Sequence, residues 1–190
     1  IYYLRICRDE ALKTEIIQAC KKHLDYILSK IGKEEGKIAI TATSSWWGCV
    51  NSCTILEPTM EIYKLTVEKR YLDFAEYIIS LGGCKDCNLV ELPLSSDLYP
   101  YEYSVVKAYE MMSYFEGALE YYRVTGDERC KTAVINFFNK VRRSDITIIG
   151  SAGCTHELFD NSAKKQTEYS EQIMQETCVT VTYMKLCYQL

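Results

Sequence analysis

The sequence predicts an all-helical protein built from repeated helical hairpins. Three observations carry that prediction. Apolar residues recur three and four apart over most of the chain, the spacing of one helix face. No convincing run of strands interrupts them. Residues 56–70 return, without a gap, as residues 115–129, and self-similarity of this kind marks a stack of supersecondary units.

The elements follow in order. Leu12, Ile16, Ile17, Cys20, Leu24, Ile27, Leu28 and Ile31 share one helix face, and Gly32 and Gly36 are expected to end it. His23 lies within that helix and reads as a surface or packing residue. A second set is Leu56, Met60 and Tyr63. A third, Tyr71, Leu72, Ala75, Ile78 and Ile79, is closed by Gly82-Gly83. A fourth runs through Ala108, Met111, Met112, Phe115, Leu119 and Tyr122, and a fifth through Cys130, Val134, Phe137, Phe138 and Val141. Ile146 to Ile149 is a short β-prone stretch inside a loop.

The repeat pairs Glu57 with Glu116, Glu61 with Glu120, Tyr63 with Tyr122, Thr66 with Thr125 and Arg70 with Arg129. Each copy reads as a helix, a tight turn and a second helix, with Thr125-Gly-Asp127 supplying turn residues. Hairpins are therefore expected over 53–81 and 108–143. Cys178 to Leu190 overlays Cys53 to Leu65 as the start of a third copy. A lone inner helix leaves an apolar face unpaired. The chain also opens at Ile1 and not at methionine. Both points lead to the expectation that residues 1–190 are one partial domain, truncated at both ends. Repeated hairpins can build a solenoid or a closed toroid, and the long loops suit a toroid with an active-site face.

Composition narrows the function classes. A formal net charge of −4, with scattered lysines and arginines, argues against nucleic acid or an anionic membrane as partner. No apolar run approaches the ~20 residues of a membrane span. Ten cysteines are many for 190 residues. Several occupy apolar helix positions, where a free thiol acts as a small hydrophobe. Reduced thiols and a cytoplasmic home are the expectation, with a disulfide framework in a secreted protein as the alternative.

Some residues carry chemistry. Glu176-Thr-Cys178 sets a carboxylate and a thiol two residues apart, and in extended backbone both point the same way. They can share one metal, since zinc accepts mixed oxygen and sulfur ligands, or be a solvated glutamate and a buried cysteine. Glu157 follows His156 in a partly apolar loop, a setting that can raise a carboxyl pKa toward acid/base work. Otherwise it is an ordinary loop glutamate. Trp47, after Trp46 in a Ser/Gly-rich loop, is a sugar-stacking platform or a core residue. Cys84-Lys-Asp-Cys87 has the gap of metal knuckles and redox motifs but no second pair at zinc-finger spacing, and reads as a loop. Tyr99-Pro-Tyr-Glu-Tyr103 lines a cleft or packs on a rim.

Three stretches resemble glycoside hydrolase family 127. They are Gly48-Cys-Val-Asn51 leading to Arg70-Tyr-Leu72, Tyr109 to Gly117 leading to Thr125-Gly-Asp127, and Ile146 to Cys178 with His156-Glu157-Leu-Phe159 and Gln175-Glu-Thr-Cys178. The resemblance covers most of residues 40–190. It implies an (α/α)6 barrel and retaining hydrolysis of β-L-arabinofuranosides or related plant-type glycans. It implies a zinc site of one glutamate and three cysteines in the complete protein, one cysteine being the nucleophile. By motif, Glu176 and Cys178 are ligands and Glu157 is the general acid/base. His156 and Trp47 stand as candidate sugar contacts. The other two cysteines form an adjacent pair in the family; this sequence has none, and the pair is expected beyond Leu190. Lys107 stands where the family has a sugar-contacting histidine. The runner-up is a helical-repeat protein-binding module without catalysis, which has no need of Glu157, Glu176 and Cys178 together. A third reading is another helical-toroid enzyme, such as an unsaturated-uronide hydrolase or a polysaccharide lyase, which needs no cysteine ligand.

Overall fold

The computed structural model describes residues 1–153, 155–168 and 176–190. Gln175, named above, and Cys154, one of the ten cysteines, lie outside the described residues. Nine α-helices are found among the described residues. They are α1 (Glu10–Lys30), α2 (Val50–Cys53), α3 (Leu56–Thr66), α4 (Lys69–Ser80), α5 (Glu91–Ser95), α6 (Ala108–Thr125), α7 (Glu128–Ser144), α8 (Ser162–Lys165) and α9 (Thr177–Gln189). The described residues contain no strand, only isolated bridges. None of these helices is long and apolar enough to cross a membrane.

The first helix ends before its glycines. Ile31 turns extended (φ −116°, ψ 131°) and bridges Ile38, so the chain leaves the helix by pairing, while Gly36 takes a left-handed turn at φ 83°.

Both expected hairpins are present, α3–α4 and α6–α7, and the repeat extends to single hydrogen bonds. The α3 helix ends at Thr66 and α6 at Thr125. The next residues, Val67 and Gly126, are both left-handed (φ 56° and 75°), and their amides donate to Tyr63 O and Tyr122 O, each at 2.7 Å. Thr66 and Thr125 accept from the amides of Glu68 and Asp127 at 3.3 and 3.2 Å. Gly126 takes this cap without a Cβ penalty; Val67 takes it against its preference.

Inner helices α3, α6 and α9 lie side by side, α4 and α7 stand behind α3 and α6, and α1 flanks α4 through Asp25, which accepts from Arg70 and from Tyr71 Oη. This is one arc of an (α/α) barrel. Ion pairs fix α3 and α6 as parallel neighbours. Lys64 joins Glu61 to its repeat partner Glu120. Lys185 of α9 joins Glu57 to its repeat partner Glu116. All four glutamates are buried. Gly117 lets α6 approach closely, because a Cβ there would stand 2.7 Å from both Glu57 N and Leu56 Cγ.

Aromatic packing carries this order to the loop after α7. Phe115 of α6 stacks on Phe137 of α7 at 3.9 Å, and Phe137 meets the edge of Phe159 at 5.8 Å. Phe138 stacks on Tyr183 of α9 at 5.3 Å. Each buried ring contributes ~1.5–3 kcal/mol. Asp145, fully buried, accepts from the amides of Asp160 and Asn161 at 2.9 Å and of Ser162 at 3.3 Å. That carboxyl group holds the segment following Glu157.

Candidate active site

Glu157 is placed by a two-residue turn. Thr155 and Leu158 form a bridge, Leu158 N donates to Thr155 O at 3.0 Å, and both intervening residues are left-handed, His156 at φ 49° and Glu157 at φ 59°. Two consecutive positive φ values are the pattern of a type I′ turn, normally filled by Asn and Gly. Here they fall on a histidine and a glutamate, so backbone strain is held at this point. The turn is stitched to α6. Ala108 N donates to Glu157 O and Phe159 N to Val106 O, both at 2.8 Å. The Glu157 carbonyl thus satisfies a free amide at the start of α6.

Glu176 and Cys178 come from the start of α9. Glu176 is the N-cap residue, and its amide donates to Gly153 O at 3.1 Å. Cys178 lies in the first helical turn and not in extended backbone. The i, i+2 geometry expected from the sequence is therefore replaced by a helix-entry geometry. Both side chains still converge, because the cap residue and the first turn face one point.

The structure brings Glu157, Glu176 and Cys178 together. One donor atom from each lies within 4.8 Å of the others. The Cys178 thiol stands 3.2 Å from Glu157 Oε1 and 3.3 Å from Glu176 Oε1, within reach to donate its single proton to either. Burial first, and then the two carboxylates, push this thiol up to about 12. The amino ends of α6 and α9 favour negative charge here. On Glu157 the expectation from sequence is corrected. Its carboxyl pKa is lowered, not raised, because Lys107 Nζ forms an ion pair with Oε2 and the Cys178 thiol adds a second donor. The apolar neighbours Leu158 and Phe159 do not decide the matter; an ammonium fifty residues upstream does.

The donor set fits a zinc ion. Tetrahedral zinc with oxygen ligands at ~2.1 Å and sulfur at ~2.3 Å needs donors about 3.5 Å apart. The Cys178 Sγ–Glu176 Oε1 separation of 3.3 Å is close to that, and a carboxylate with a thiol are ligand types zinc accepts.

From the cluster a cleft of about 720 Å³ runs down the inner face of the helices, lined among others by Tyr109, Ser113, Glu116, Cys178, Thr182 and Lys185. Neither Trp47 nor His156 lines it. Trp46 and Trp47 are 70% and 38% exposed, so neither is a core residue. His156 is exposed at its turn and His23 is exposed on α1. Tyr99 stacks on Tyr101 at 5.8 Å, while Tyr103 is buried. All nine described cysteines are unbridged.

Sequence reasoning missed the roles of three residues. Lys107 appeared only as a departure from a motif, Asp145 not at all, and Lys185 only as part of a helix. Lys185 had a findable signal, since the repeat aligns two glutamates that require a counter-charge.

Parallel inner helices backed by outer ones, with an acid-and-thiol cluster at their amino ends, form an arc of the helical-toroid class. The comparison with known families agrees. The β-L-arabinofuranosidase catalytic domain of glycoside hydrolase family 127 matches residues 7–190, and the chain belongs to that family. No curated protein matches it.

Proposed function

We infer that this chain forms the acid/base and metal-binding wall of a retaining glycosidase that acts on β-L-arabinofuranosides or related plant-type glycans. The observation that carries the reading is the convergence of Glu157, Glu176 and Cys178, the last two of which line the inner cleft. A protein-binding scaffold has no use for that convergence.

In this reading Glu176 and Cys178 hold zinc, which when bound stabilises thiolate sulfur at neutral pH. Glu157 is the acid/base. In a retaining mechanism it protonates the leaving oxygen and then takes a proton from water. At rest, beside Lys107, it is ionised, which suits the second step. For the first step it must gain a proton, and that is favoured when sugar displaces water and the contact with Lys107 loosens. Were Cys178 to bind zinc as thiolate, its sulfur would no longer offer a proton to Glu157 Oε1, and that oxygen would be open to substrate. The nucleophile that the family calls for is one of an adjacent cysteine pair. These 190 residues contain no such pair, so the chain by itself is expected not to turn over glycosides.

The test is zinc stoichiometry and competition with a chromogenic chelator for the protein, its Cys178→Ser variant and its Glu176→Gln variant. Each variant should lose ~100-fold or more in affinity, at least the loss seen when a supporting partner is removed. Turnover of an aryl β-L-arabinofuranoside is measured beside it. Unchanged zinc affinity in Cys178→Ser removes the metal assignment. Turnover by the 190-residue chain removes the missing-nucleophile argument.

A further inference from the structure

The Cys84-Lys-Asp-Cys87 loop lies apart from this chemistry and is built differently from an incidental loop. It leaves α4 through two consecutive left-handed glycines, Gly82 at φ 72° and Gly83 at φ 71°. A Cβ on Gly83 would stand 2.2 Å from the Tyr114 ring, and one on Gly82 would stand 2.8 Å from the Asn88 backbone. Leu89 N closes the loop onto Gly82 O at 2.9 Å. The loop then grips the tryptophan segment. Lys85 N donates to Gly48 O at 2.7 Å, and the Cys84 thiol points to Trp47 O at 4.0 Å. Gly48 is left-handed (φ 55°), and a Cβ there would stand 2.5 Å from Cys84 Sγ. Ser104 Oγ holds Asp86 O at 3.0 Å from the other side.

Both thiols are unbridged and act on one another electrostatically across the turn. Cys84 is buried and Cys87 is half-buried. The Cys87 thiol, first, and against burial the amides of Asp86 and Cys87, lower Cys84 to about 6. Cys87 is raised and stays a thiol. Cys49 and Cys53 are neighbours, but among the described residues these sulfurs do not converge into a metal-sized group.

The geometry points to Cys84 and Cys87 as a dithiol that small hydroperoxides oxidise to a disulfide, thereby altering the hold on the Trp46-Trp47 segment. The Cys84 thiolate attacks one oxygen of hydrogen peroxide. The O–O bond breaks, and hydroxide leaves with a proton from solvent as water, giving a sulfenic acid on Cys84. The Cys87 sulfur then attacks Cys84 sulfur. The S–O bond breaks, and a second water leaves with the Cys87 proton. The sulfur pair loses two electrons and the peroxide gains them. A peroxide is small enough for a nearly closed thiol, and a second thiol three residues on resolves the intermediate. In the disulfide, Cys84 Sγ must turn toward Cys87 and away from Trp47 O, from which it now stands 4.0 Å.

The test uses the reduced protein, treated with a small molar excess of hydrogen peroxide, then alkylated and digested with trypsin. Cleavage after Lys85 puts the two cysteines on separate peptides, so a disulfide appears as a linked pair that separates on reduction. The only two tryptophans of the chain are Trp46 and Trp47, so tryptophan emission reports on the gripped segment. Expected are a linked pair and a reversible emission shift, both lost in Cys87→Ser and in Cys84→Ser. Two alkylated cysteines with no linked pair overturn the proposal. A linked pair with unchanged emission overturns the coupling to the tryptophan segment. A shift that persists in both serine variants does the same.

Discussion

Val67→Gly should stabilise the protein. Val67 holds the left-handed cap of α3 at φ 56° and is 72% exposed, so its side chain gives little packing in return. A left-handed residue with a Cβ costs ~1–2 kcal/mol. Glycine removes that cost but adds unfolded-state entropy worth ~0.5–1 kcal/mol. The net gain is ~0.5–1 kcal/mol. The cap bond from residue 67 N to Tyr63 O survives the change, as its counterpart at Gly126 shows. At this chain length ~1 kcal/mol corresponds to about 2–4 °C in Tm, measured by circular dichroism on heating. The mirror change, Gly126→Val, should destabilise by the same ~0.5–1 kcal/mol, since nothing lies within 4 Å of the added Cβ and backbone strain outweighs the unfolded-state gain. A Val67→Gly protein that melts lower than the parent would refute the reasoning, because the two caps would then not be equivalent.

Gly117→Ala should destabilise by ~1–2 kcal/mol. Overpacking against Leu56 and the Glu57 backbone costs up to ~3 kcal/mol and exceeds the ~1 kcal/mol helix-propensity gain; urea unfolding at constant m-value checks it. Glu116 gives a pH signature. Burial first raises it to about 7, against the pull of Lys185. Its folded pKa exceeds its unfolded one, so its contribution is fully present below the unfolded value and is lost as pH rises through about 7. Glu116→Gln should flatten the stability decline between about pH 5 and about pH 8 seen in urea midpoints; an unchanged slope assigns the decline to another group. Lys107→Met should bring the Glu157 carboxyl back toward the ordinary glutamate value, followed by NMR titration with Cys178→Ser as background; an unmoved pKa denies the ion pair its role.

The hairpins were legible because Thr125-Gly-Asp127 announces its turn and the helix faces keep their period. The matching cap at Val67 was legible only through the repeat, since valine by itself argues against a left-handed bend. Glu176 and Cys178 adjoin in sequence and were visible as a pair. Their meeting with Glu157 depended on motif order, and its geometry on a strained turn that no local propensity favours. The Lys107–Glu157 pair was out of reach, because a contact across fifty residues leaves no trace in local pattern. The short helices α5 and α8 escaped for a simpler reason: one turn is too short to show a period.

The paired glutamates under Lys64 and Lys185 have a consequence for descent. Each lysine reads the same position in two copies of one ancestral unit. If the lysine is lost, two carboxylates remain buried side by side with their counter-charge gone, a costly state. Divergence at these sites must therefore proceed by joint replacement, even where the surrounding helix faces drift apart. Glu57 and Glu116, Glu61 and Glu120 are positions where duplication has left a lasting bond of agreement between halves that have diverged at many other positions.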